Sequence, residues 1–296
     1  MNHYTSSPRL RLLLAAVFCL LACSQAHAQV AVRLQMNKSN YLLNEPVTAT
    51  ITITNHAGRQ LVLAGNANQS WLSFQMTSGG RVVPPARRMA YKPAVIPAGQ
   101  SISRVVSLTT SYALGNMGNY TCSASVRMPG PAINGFTSNR VHFTVTGGRT
   151  AWLQRAGIPG APGEIREYKL ITFSANRGME LYADVASKNT GRNIATIPLG
   201  KILSFRNPTA TLDGKNNMHA LYQVKPDLFT HTAVSPSGQV LATSYHKRGA
   251  SGDPRLMTFA NGEVRVAGSI PYQPEVEAAQ KRKIHNISER PPFIYR

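Results

Sequence analysis

Acidic residues are scarce in this chain: 12 Asp and Glu stand against 32 Lys and Arg, a formal net charge of +20 over 296 residues. Few carboxylates are therefore on hand for general acid–base chemistry or for holding divalent cations. Cysteine is scarcer still. Of the three, Cys19 and Cys23 fall in the first 28 residues, so Cys122 stands alone in the rest and cannot close an intramolecular disulfide. The fold must then rest on burying apolar strands, and about 268 residues suffice for that as two domains. Long apolar runs are missing too: Leu12–Ala22, behind Arg9 and Arg11, is too short to span a bilayer. Catalytic and metal signatures are equally absent, with no Gly-x-Ser-x-Gly, Cys-x-x-Cys or His-x-x-x-His, and the histidines from His56 to His285 read as scattered single residues. No cofactor is implied.

The first 28 residues read as an export signal, with small residues Ala26-His27-Ala28 set for cleavage before Gln29. Leu20-Leu21-Ala22-Cys23 offers a second processing reading, a lipobox that would leave Cys23 acylated. Either way the expected location is periplasmic, outer-membrane-associated or extracellular.

What is there is β-structure. Val30, Val32, Leu34 and Met36 alternate with smaller or polar residues, as do Val47, Ala49, Ile51 and Ile53. Further strands are expected over 71–76, 102–108, 120–126 and 140–145, enough for a two-sheet sandwich over 29–148. Gly147-Gly148 reads as the domain boundary, and Gly157–Gly163, with two prolines, as a second flexible stretch. Beyond it a pattern of strand, Gly-containing turn and strand occurs three times, from Leu170, Thr209 and Leu256. The copies start about 39 and 47 residues apart, near the ~40–45-residue period of a propeller blade, but 149–272 holds too few blades to close alone. Phe229–Val234 and Val240–Thr243, joined by Ser235-Pro236-Ser237-Gly238, form a further hairpin. Residues 273–296 read as a basic tail with a short helix from Glu275 to Ile284. The expected class is all-β.

Gly118-Asn119-Tyr120-Thr121-Cys122 resembles the start of an immunoglobulin-type F strand, where a tyrosine two residues before a cysteine forms the tyrosine corner. Tyr41–Val47 followed by Thr52–Asn55 resembles the opening of Ig-like modules of exported bacterial proteins; no partner cysteine occurs near Ile51, so Cys122 is expected to pack as a small hydrophobe. As a whole the chain resembles exported bacterial proteins that join an Ig-like sandwich to a propeller-like β-repeat region. That resemblance implies a fold and an address, and no particular activity.

The positive charge suits an anionic partner. From Gln29 to Thr150 there are 11 Lys and Arg and one acid, Glu45. The strongest local binding candidate is the basic stretch carrying Arg81, Arg87, Arg88, Tyr91 and Lys92, where guanidinium forks suit phosphate, sulfate or carboxylate oxygens and a tyrosine can stack on a sugar. Specific nucleic-acid recognition lacks any supporting motif. In the second half, repeat geometry points to Asp213, His219, Tyr222 and His231 as positions that converge; Asp184, Asp227 and Asp253 complete the carboxylates that a glycan-cleaving enzyme could draw on. The reading is a non-enzymatic exported binding or adhesion module for anionic polysaccharide, lipopolysaccharide or an envelope surface. Two alternatives stay open: a polysaccharide-acting enzyme sited in the repeat region, and an envelope assembly subunit that meets another protein through sheet edges.

Overall fold

The computed structural model describes residues 30–66, 69–128, 135–175, 178–250 and 252–275. The stretch read as an export signal, with Cys19 and Cys23, and nearly all of the stretch read as a C-terminal tail lie outside them. The described chain is all-β and built of small antiparallel sheets, with one parallel pair among them. The first strands are β1 (Val30–Met36), β2 (Asn40–Leu42), β3 (Thr48–Asn55), β4 (Leu61–Leu63), β5 (Leu72–Ser78) and β6 (Arg81–Val82). They continue with β7 (Ala94–Ile96), β8 (Ser101–Ser107), β9 (Gly118–Val126), β10 (Phe136–Thr137) and β11 (Val141–Thr146). Next come β12 (Arg149–Ile158), β13 (Ala161–Ala175), β14 (Gly178–Ser187), β15 (Asn193–Lys201), β16 (Thr209–Leu212) and β17 (Met218–Lys225). The last are β18 (Leu228–Val234), β19 (Val240–Arg248), β20 (Arg255–Thr258), β21 (Val264–Ala267) and β22 (Ser269–Tyr272).

Two compact units interleave along the chain. One holds residues 30–37, 48–112 and 121–142 of those described. In it β1, β3 and β8 form an antiparallel sheet, with Val32 opposite Ile53 and Ile53 opposite Ile102. The alternation seen in the sequence is the burial pattern: every second residue of β3, Ala49, Ile51, Ile53 and Asn55, is buried. Trp71, just before β5, Leu72, Phe74 and Met76 on β5, and Cys122, Ala124 and Val126 on β9 are buried. Cys122 is packed as a small hydrophobe, and burial pushes its thiol up to about 12, so it carries no thiolate chemistry at neutral pH.

The other unit holds 38–47, 113–120 and 143–275. Its two main sheets are meanders in chain order, β12-β13-β14-β15 and β16-β17-β18-β19, the second extended by β22. They are blade-like and do not close into a ring. Their apolar faces share one core: Tyr168, Leu170, Leu181, Ala183 and Val185 from the first, Met218, Ala220, Tyr222 and Val234 from the second. All three copies of the repeat are hairpins, but they take unequal places. The first lies inside the four-stranded sheet, the second at the edge of the five-stranded one, and the third is the separate pair β20–β21.

Two stretches read as flexible are ordered. Gly148 is tightly packed, because a Cβ there would sit 2.4 Å from the Ile171 side chain and 2.9 Å from the Thr172 carbonyl. Within Gly157–Gly163 only Pro159 and Gly160 form the tight turn between β12 and β13, with Gly160 in the left-handed region at φ 79°, and the rest is strand.

Candidate functional site

The basic stretch is a loop tied down at both sides. The backbone N–H groups of Ala86 and Arg87 donate to the Ser111 carbonyl, at 2.7 and 3.3 Å, and Pro85 bridges to Tyr112. Buried Trp71 donates its indole N–H to the carbonyls of Tyr91 and Lys92, both at 3.2 Å, and meets the Tyr91 ring edge-on at 6.0 Å. So anchored, the loop walls a cleft of about 490 Å³ that includes Arg87, Arg88, Met89, Tyr91, Ser111 and Arg127 in its lining. The three arginines are exposed. No Asp or Glu lines the cleft, and none occurs anywhere in this unit between residues 30 and 142, against nine Lys and Arg. Burial, with Tyr112 nearby, pushes the Tyr91 phenol up to about 12, so it stays a neutral donor. The Ser111 hydroxyl is buried and has no hydrogen-bond partner among the described residues.

Of the loop residues singled out in the sequence, Arg87, Arg88 and Tyr91 meet at the cleft. Lys92 takes part through its carbonyl, which also accepts from Arg104 at 3.2 Å. Arg81 is exposed on β6 opposite Ser78, outside the cleft lining. Arg127 and Ser111 are additions. They come from chain segments remote in sequence, and a reading of one contiguous stretch has no access to them.

In the second unit Asp213, His219 and His231 do come together. Asp213 closes the β16–β17 turn: its carboxylate accepts from the backbone N–H of Lys215 and Asn217 and from the Asn217 side chain at 2.8–2.9 Å. Burial alone would raise the Asp213 pKa; these bonds and the one to His219 outweigh it and hold the carboxyl below its usual range. His219 Nε2 lies 3.4 Å from Asp213 Oδ2, and His219 Nδ1 lies 3.0 Å from His231 Nε2. His231 Nδ1 is 3.3 Å from Ser244 Oγ, which is 2.9 Å from His246 Nε2. His246 Nδ1 reaches Ser269 Oγ at 3.0 Å. The row crosses four strands and the turn beside them.

The histidines read as single are thus three members of one hydrogen-bonded row. The signal that could have found it is the hairpin at Ser235–Gly238. Folding β19 back on β18 about that turn sets Ser244 opposite His231, and the diagonal step places His246 next. Tyr222 does not join. It stands three residues from His219, an odd separation that puts the two on opposite faces of a strand. Its hydroxyl instead donates to the Leu199 carbonyl at 2.9 Å within the core.

Asp184, Asp253, Glu45 and Glu180 are engaged. Asp184 is buried and accepts from Asn193 and Thr196, both at 2.7 Å. Asp253 pairs with Arg206 and Arg248. Lys38 donates to both Glu45 and Glu180, at 2.6 and 2.7 Å, and to the Tyr182 oxygen at 2.8 Å, while the Tyr182 hydroxyl donates to Glu180 at 2.7 Å. Among the described residues, no group of three or more His, Cys, Asp or Glu is placed to hold a metal ion.

No protein-family model matches the chain, and no curated protein matches it. Among solved structures it is similar to Spo0M, a sporulation control protein from Bacillus subtilis, at 10% identity, over 58% of this chain and 91% of that one. The TM-score is 0.28, a likeness too slight to carry an argument about fold or function.

Proposed function

We propose that this protein is an exported binding module for an anionic polysaccharide, taken up in the cleft walled by the Arg87–Tyr91 loop. The observation that carries the reading is the convergence of Arg87, Arg88 and Arg127 on one cleft in a unit with no acidic residue between positions 30 and 142. Guanidinium forks donate to two oxygens of a sulfate or carboxylate at once, and the uniform positive field speeds encounter with a polyanion. Tyr91 adds an aromatic wall, and Asn66, Gln69 and Ser70 add neutral donors and acceptors of the kind that sugar hydroxyls meet. The unpartnered Ser111 hydroxyl is one more donor at the same place.

Export rests on the leader pattern of residues 9–28. The Ig-like reading of residues 29–148 draws support from the Tyr120 hydroxyl, which donates to the Asn116 carbonyl four residues upstream at 2.7 Å, the kind of bond that a tyrosine corner makes. An envelope surface or lipopolysaccharide would engage the same cleft through the same sulfate-, phosphate- or carboxylate-like groups.

The test is binding of the chain from Gln29 to a heparin-like glycan, lipopolysaccharide, DNA and neutral glycans, each with the wild type and an Arg87→Ala/Arg88→Ala variant. Retention of an anionic glycan at moderate salt that the double variant loses supports the reading. Equal, weak binding of all polyanions, unchanged in the variant, sinks it.

A further inference from the structure

The polar row on the five-stranded sheet can be counted proton by proton. The Asp213 carboxylate only accepts, so His219 carries its proton on Nε2 and presents a bare Nδ1. His231 must then donate to it from Nε2, leaving its own Nδ1 to accept from the Ser244 hydroxyl. Ser244 Oγ in turn accepts from His246 Nε2–H, and His246 Nδ1 accepts from the Ser269 hydroxyl. Three neutral rings and two hydroxyls thus fill five contacts with one proton each, all pointing towards Asp213.

One added proton has a place in the same heavy-atom positions. His219 becomes an imidazolium that donates to Asp213 from Nε2 and to His231 from Nδ1. His231 now accepts at Nε2 and donates from Nδ1 to Ser244; Ser244 donates to His246 Nε2; His246 Nδ1–H donates to Ser269 Oγ. His231, Ser244, His246 and Ser269 have each passed their proton to the neighbour on the Asp213 side, and the added proton enters from solvent at Ser269, whose hydroxyl now points away from the row. A further charge on His231 would set two N–H groups face to face across the 3.0 Å contact with His219.

We propose that this row is a proton relay, in which charging of His219 beside Asp213 reverses the tautomers of His231 and His246 and so turns Ser269, on the far strand, from a donor into the row to a donor outside it. The rings are placed for this: His219 and His231 are nearly parallel, with 13° between their planes and centroids 5.2 Å apart. Burial, then the neighbouring His219 and His246, lower His231 to about 4, and burial lowers His246, so the charge is kept off both. The charged groups on adjoining elements are otherwise engaged. Arg206 lies over Phe229 and pairs with Asp253, Arg248 on β19 pairs with Asp253, Arg265 on β21 pairs with Glu263, and Lys247 lies over Tyr272. Lys215 in the turn, Tyr222 and Lys225 on β17, Asp227 in the next turn, Tyr245 on β19, Arg255 on β20 and the buried Tyr168 phenol are the other titratable groups around the turn and sheet.

The experiment is a pH titration, from 8 to 4.5, of the side-chain nitrogens of the ¹⁵N-labelled chain from Gln29 by NMR. At pH 8 all three histidines should show the Nε2–H tautomer. As His219 gains its second proton, His231 and His246 should pass to Nδ1–H with the same midpoint, without becoming imidazolium. In Ser244→Ala, checked for an unchanged backbone spectrum, His231 should still follow His219 while His246 no longer does. Three separate midpoints, each ending in an imidazolium, would overturn the relay, as would fixed tautomers for His231 and His246 while His219 titrates. The wild-type titration decides this even if the variant fails to fold.

Discussion

His231 shows how one residue ties environment to stability. An unfolded chain protonates this imidazole near 6.5, the folded chain only near 4, because the ring is partly buried and faces two other histidines. Between those values the unfolded state binds more protons, so stability falls as pH is lowered through that window and is fully retained above it. The wild type should therefore lose its advantage over a His231→Gln variant on going from pH 7 to pH 4.5, by about 1–2 kcal/mol once the ring's partial exposure is discounted. Urea unfolding at both pH values measures it; a constant difference would mean that His231 titrates alike in both states. The candidate site was partly legible at this scale. Asp213 and His219 bracket a hairpin turn and His231 lies on the next strand, so their convergence follows from repeat geometry, whereas Tyr222, three residues from His219 on the same strand, faces the other side of the sheet.

At the scale of elements, turns and one ion cluster fix the packing of the second unit. Gly262 sits at φ 79°, and a Cβ on it would lie 2.9 Å from the Gly214 Cα; Gly214 N–H also donates to the Gly262 carbonyl at 2.9 Å. Two hairpin turns thus touch backbone to backbone. Gly262→Ala should cost about 1–3 kcal/mol through strain and contact, whereas Gly58→Ala, with open space around it, should be near neutral. Comparing the two denaturation midpoints checks this, and equal midpoints would contradict it. The Lys38 cluster behaves differently. Burial alone would lower the Lys38 pKa, but its bonds to Glu180 and Glu45 outweigh that and hold the ammonium charged. Lys38→Met strands the buried Glu45 carboxylate and should cost about 3 kcal/mol. Adding Glu45→Gln and Glu180→Gln should recover part of that loss in the same assay. The hairpins of this unit were legible because each carries its own turn chemistry and apolar alternation. The Lys38–Glu180 contact was not, since 142 residues separate the partners and nothing local marks either one. β12 was missed for a related reason: most of its side chains are exposed, so it has no apolar face for a period of two to reveal.

For the whole molecule the decisive property is charge placed without opposition. A net charge of +20 is a solubility property wherever it is spread evenly. Here one unit carries no acid between residues 30 and 142, and three of its arginines meet at a cleft. The composition pointed to the sign of the proposed partner and to the loop proposed to meet it. The cleft itself needed the fold, because Arg127 and Ser111 reach it from other segments. The most direct test of the binding account is the affinity of the chain from Gln29 for a heparin-like oligosaccharide, measured across a salt titration for the wild type and for Arg87→Ala/Arg88→Ala. If the two guanidiniums contact the polyanion, the slope of log affinity against log salt should become shallower by roughly one to two in the double variant, as the counterions once displaced there stay bound to the glycan. An unchanged slope and affinity would contradict the account, since the charge would then act only as a diffuse field and the cleft would not be the site.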